Sequence, residues 1–159
     1  MESIIKINKK SAIERFSKLF GTIIGGSLII FLFKLIQTNT SSSKENVFMY
    51  SIIIFFCALY IVFLTSKWYK TYIYEISTTE NELLIKYSYY NKDKSVALRK
   101  EDLEVILKDT PVRNGKLNLL IIQQGKERIT QYAINDWNQP LMKEVHDKLI
   151  SWKSGKIDL

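Results

Sequence analysis

Hydrophobic and polar positions divide this chain into two regimes that meet near residue 66. From Leu19 to Thr65 only Lys34, Lys44 and Glu45 are charged, whereas charge recurs throughout after Ser66. The stretch "VFMYSIIIFFCALYIVFLT", residues 47–65, is 19 residues without a charge, and twelve of them are Val, Ile, Leu or Phe. At 1.5 Å rise per residue such a helix reaches about 28 Å, close to the ~30 Å hydrocarbon core of a bilayer. Twelve such residues at about −0.4 kcal/mol each favour insertion by roughly 5 kcal/mol. A second apolar run, "LFGTIIGGSLIIFLFKLI", spans residues 19–36, with Lys34 placed to reach the headgroups. A cleaved signal peptide is its rival reading, but no A-x-A-like site follows in "KLIQTNTSSS". The expectation is a transmembrane α-helical hairpin over 19–65, with spans 19–36 and 47–65 joined by a polar loop. It follows a short N-terminal segment, residues 1–18.

Helix entry is legible as well. "SAIE" sets Ser11 three residues before Glu14, a capping-box pattern that starts a helix near Ala12. Ser17, Gly21 and Gly25 then repeat every four residues, a stripe of small side chains suited to close helix packing. Packing against the chain's own second span is the simpler use of that stripe; self-association between copies is the sharper one.

Beyond Trp68 the period changes to two. "TYIYEIS", "ELLIKYSYY", "SVALR", "LEVILKD", "KLNLLIIQQ" and "ERITQYAI" read as six strands. They are separated by "TTEN", "NKDK", "RKED", "PVRNG" and "QGK". Asn114-Gly115 and Gly125-Lys126 carry hairpin chemistry. The chain then predicts a helix over 139–153, with Asn135 or Asp136 as N-cap and Pro140 in the first turn. Leu141, Val145, Leu149 and Trp152, with Met142 beside them, form its apolar stripe. The expected class is therefore a membrane hairpin plus a cytoplasmic, mainly-β domain over 66–159, an antiparallel barrel or sandwich with a capping helix.

The segments "YEISTTENELLIKYSYY" and "SVALRKEDLEVILKD", followed by a hairpin and a closing helix, resemble the bacterial pleckstrin-homology-like membrane proteins. The resemblance covers about residues 67–153 and lies in hydrophobic positions. It implies a seven-stranded PH-like barrel behind a two-span anchor in the bacterial inner membrane. "SIIKIN", residues 3–8, is the candidate for the seventh strand, which would make the hairpin an insertion in the domain. Catalysis is not implied.

Charge refines this picture. The chain has 159 residues and a net charge of +7. Residues 1–66 carry seven basic and three acidic groups, and residues 67–159 carry sixteen and thirteen. Interspersed charges of near balance argue against a nucleic-acid interface. Basic flanks at Lys6, Lys9, Lys10, Arg15 and Lys18, and again at Lys67 and Lys70, place both termini in the cytoplasm. Lys67, Trp68, Tyr69, Lys70 and Tyr72 are expected at the membrane interface, and Lys86, Lys92 and Lys94 are candidate headgroup contacts. Asp93 between the last two weakens a phosphoinositide-type pocket by local cancellation. One cysteine, Cys57, and one histidine, His146, build neither a disulfide framework nor a Cys/His metal site, and no cofactor is expected. No nucleophile or phosphate-loop motif is present, so the expectation is a non-enzymatic interaction module with the bilayer and a protein as partners. The rivals are a ligand-sensing membrane effector, of the anti-phage type, that assembles through its first span, and an accessory subunit or immunity factor.

Overall fold

The computed structural model describes residues 2–38, 44–112 and 115–155. Most of the serine-rich connection, the Lys34 and Lys44 side chains and the turn at 113–114 fall outside them. The chain forms two compact units, Met1–Ala12 with Trp68–Leu159, and Ile13–Lys67.

The second unit contains most of two long helices, α1 (Ala12–Thr38) and α2 (Lys44–Tyr69). Helix α2 continues past Ser66, whose hydroxyl donates back to the Phe63 carbonyl at 2.8 Å, so the polar change there does not end the helix. Leu28, Ile29 and Ile30, three consecutive residues stepping about 100° around α1, are all exposed. On α2, Phe55, Phe56, Leu59, Tyr60 and Ile61 are exposed likewise. Among the described residues, the window long and apolar enough to cross a bilayer is Ile52–Tyr69, with none of it buried.

The first unit is mainly β. Strands β1 (Glu2–Lys6), β2 (Thr71–Thr78), β3 (Glu82–Tyr89) and β4 (Lys92–Arg99) form one antiparallel sheet in that order. Strands β5 (Glu104–Val112), β6 (Gly115–Gln124) and β7 (Glu127–Tyr132) form a second antiparallel sheet. Helix α3 (Gln139–Lys153) closes the unit. Strand β1 pairs with β2 (Ile5 opposite Ile76, Lys6 opposite Glu75), so the segments on either side of α1 and α2 belong to one sheet. Between β6 and β7, Gly125 at φ 56° makes the two-residue turn, a conformation glycine adopts without penalty.

Alternation supplies the core. Ile73, Ile76, Leu83, Ile85 and Leu98 from one sheet meet Leu120, Ile122 and Ile129 from the other. Helix α3 packs against β5, β6 and β1 and inserts Met142, Val145, Leu149 and Trp152. Its N-cap is Asn138, whose Oδ1 accepts from the Leu141 amide at 2.9 Å, and not Asn135 or Asp136. Those two residues form a preceding turn, with Asn135 at φ 55°.

Side chains, not ladder bonds, stitch the two sheets at β2. A bulge between Ile73 and Glu75 shifts the register against β3. The Ile73 amide donates to Gln131 Oε1 at 2.8 Å, and the Ile73 carbonyl accepts from Trp137 Nε1 at 2.8 Å. The far ends of β4 and β6 are joined by Gln124, whose amide bonds both the amide and the carbonyl of Arg99.

Candidate functional site

A set of long-range polar contacts lies where the chain leaves the β unit at Ala12 and re-enters it at Trp68. The centre is the turn between β3 and β4. Sequence chemistry places that turn at "NKDK", residues 91–94, but the strand resumes at once, with Tyr89 opposite Lys92. The loop is Tyr90 and Asn91 alone, because Tyr90 adopts φ 55°, a left-handed conformation that non-glycine residues rarely hold. Lys92, Asp93 and Lys94 therefore lie on β4.

Both chain crossings are bonded to this turn. Asn91 Oδ1 accepts from the Ala12 amide at 2.9 Å, which satisfies one of the open donors at the start of α1. The Tyr90 amide donates to the Lys70 carbonyl at 2.7 Å, and the Ser88 hydroxyl donates to the Tyr90 carbonyl at 2.8 Å. Replacing Asn91 by alanine is expected to cost the start of α1 about 1 kcal/mol. Hydrogen exchange at the Ala12 amide should then quicken about fivefold, with the β-core amides unaffected.

Two ion pairs fix the outgoing segment. Lys9 Nζ lies 2.6 Å from Asp93 Oδ2, and Lys10 Nζ lies 2.8 Å from Asp136 Oδ1. The other Asp136 oxygen accepts from the Tyr72 hydroxyl at 2.6 Å. The hydrogen bond that Lys9 donates to Asp93 raises the pKa of its ammonium above the ordinary lysine value, against an opposing desolvation effect. Both lysines read in sequence only as positive flanks of a span. Their partners lie 84 and 126 residues away, and no local pattern announces them.

The residues expected at the membrane interface separate. Trp68 and Tyr69 are half-buried, and the Trp68 ring lies 6.5 Å from Tyr132. Lys67 is exposed and Lys70 half-buried. Tyr72 is fully buried, which removes it from an aromatic belt: it faces the core from β2 and spends its hydroxyl on Asp136. The three candidate headgroup lysines separate too. Lys86 pairs with Glu75 at 2.8 Å, and that hydrogen bond raises its pKa. Lys94 sits 5.2 Å from the centre of the Tyr89 ring. Lys92 is exposed. Asp93 is engaged by Lys9, so its charge is spent there and not against Lys92 and Lys94.

In the helical unit, a Cβ added at Gly21 or Gly25 meets nothing within 4 Å. The expected close approach to the second helix is therefore not made there. The face of α1 toward α2 carries Phe20, Ile23, Ile24 and Leu28 instead, and these bulky residues line an apolar groove of about 360 Å³. Among the described residues, no three His, Cys, Asp or Glu side chains converge to hold a metal ion. Comparison with protein-family models, curated proteins and solved structures returned no match.

Proposed function

We propose that this chain is an interaction module tethered in a bacterial inner membrane, with α1 and α2 as a transmembrane hairpin and a PH-like β unit on the cytoplasmic side. The exposed apolar girth of both helices carries this reading. Leu28, Ile29 and Ile30 expose apolar side chains around more than half of α1 over that turn, the adjoining Ser27 hydroxyl donates back to the Ile23 carbonyl, and water is a poor solvent for such a surface. Lipid is a good one. Four strands and three strands, all antiparallel and closed by a C-terminal helix, support the PH-like assignment. The β unit presents a protein partner with the outer edge of β5, which pairs with no further strand among the described residues and carries exposed Ile106. A reporter active only outside the cytoplasm is expected to be silent when fused after Leu159 and active when inserted near Ser42. The reverse pattern would remove the topology and the cytoplasmic placement together.

A further inference from the structure

We infer that the tip of the β3–β4 hairpin, Tyr89 to Lys94, is a seat on the membrane surface, in which the two tyrosines enter the interfacial layer and Lys92 and Lys94 meet anionic headgroups. The inference rests on the membrane reading of α1 and α2 and assigns the bilayer itself as the ligand of this one edge of the β unit.

Three observations converge on it. The first is placement. The amide of Ala12 and the carbonyl of Lys70, at the two points where the chain passes to and from the apolar helices, are bonded to Asn91 and Tyr90. Only residues 13–18 separate Ala12 from the apolar run that starts at Leu19, and only residues 66–69 separate Lys70 from the run that ends at Thr65, so short covalent paths tie this turn to both runs. The second is the side chains. Tyr89 and Tyr90 are 38% and 42% exposed although both are large and aromatic, and their rings stack edge-on at 5.1 Å. Tyr90 also holds φ 55°, where glycine would be unstrained, so the turn itself does not call for an aromatic there. Rings with one apolar face and one polar tip belong in the interfacial layer. The third is charge. The Lys9 ammonium takes up Asp93, which leaves Lys92 and Lys94 uncancelled, and Lys94 lies over the Tyr89 ring so that cation and aromatic face act at one place.

The test uses the full chain with Cys57→Ser, reconstituted in vesicles of phosphatidylcholine and phosphatidylglycerol whose acyl chains carry bromine. A bimane label is placed in turn at Lys92→Cys, at Lys126→Cys in the β6–β7 turn, and at Phe55→Cys on exposed α2. The labels at 55 and 92 should lose most of their fluorescence, and the label at 126 should keep its own. Adding Tyr89→Ser/Tyr90→Gly, in which glycine accepts the turn's φ, should restore fluorescence at 92 and leave 55 quenched. Quenching at 55 with none at 92, or equal quenching at 92 and 126, overturns the seat while the span stands. Quenching at 92 that persists in the double variant overturns the role of the tyrosines. An unquenched label at 55 removes the membrane reading and the seat with it.

Discussion

Replacing residues 13–67 by a glycine–serine linker of about six residues, which reaches up to roughly 20 Å, should give a folded β unit that needs no membrane. A fragment beginning at Trp68 should not match it. The linker is short because the two ends it joins are bonded to neighbouring residues of one turn, Ala12 to Asn91 and Lys70 to Tyr90. The fragment lacks β1. It loses buried Ile5 and the half-buried Ile4 and Ile7, together with the Lys9 and Lys10 ion pairs. It also bares the edge of β2, which runs antiparallel to β1 from Glu75 to Thr78. Burial of one isoleucine is worth ~1.5–3 kcal/mol, and each strand bond adds about 1 kcal/mol. The sum is on the order of 5 kcal/mol, a large part of the ~5–15 kcal/mol that holds an ordinary domain. Urea unfolding followed by tryptophan fluorescence should show a cooperative transition for the linked unit. The fragment should unfold at much lower urea or associate through its open edge. Equal midpoints would mean that β1 is a passive appendage and the hairpin is not an insertion in the fold.

Trp137→Ala should have the largest effect of any single substitution in the β unit. Trp137 is buried, and its Nε1 donates to the Ile73 carbonyl on the bulged strand. Truncation leaves a cavity, costing ~3–5 kcal/mol, and strands a buried carbonyl for a further ~1–3 kcal/mol. Trp137→Phe separates the two contributions, since it keeps most of the volume and removes only the donor and part of a ring. It should cost about 2 kcal/mol. Measured on the linked unit, the alanine variant should be largely unfolded without denaturant and the phenylalanine variant folded with a lowered midpoint. Similar midpoints for alanine and wild type would show that Gln131, which takes the Ile73 amide, joins the sheets unaided.

Much of this architecture is readable along the chain because its cause is local. The period of two after Trp68 marks the strands from Thr71 to Tyr132, and the helical stripe from Met142 to Trp152 marks α3. Runs such as "SLIIFLF" and "SIIIFFCALYIVFL" are apolar at every angle, so no folded partner is needed to see that they shun water. The charge change near Ser66 likewise separates the two regimes without any contact information.

What tertiary structure alone decided depends on partners distant in sequence. The sequence offers residues 3–8 only as a candidate strand, since so few positions do not let alternation decide; pairing with β2, which begins more than sixty residues later, makes Glu2–Lys6 a strand of the sheet. Alternation says that Tyr72 and Ile73 point to opposite faces at the start of β2, yet both are buried. A bulge and the second sheet cover what would otherwise be an outer face, and turn a belt residue into a core one. Propensity assigns "NKDK" to a turn, but the β3–β4 ladder continues to Tyr89 and Lys92 and forces Tyr90 into a conformation its type does not favour. Lys9, Lys10, Asp93 and Asp136 are surface charges by composition, and pair only when the fold brings the segment after β1 beside β4 and the turn that precedes α3. Burial preference and period belong to each residue and its near neighbours, and the sequence carries them; pairing, register and the neutralising of a charge belong to the closed sheet.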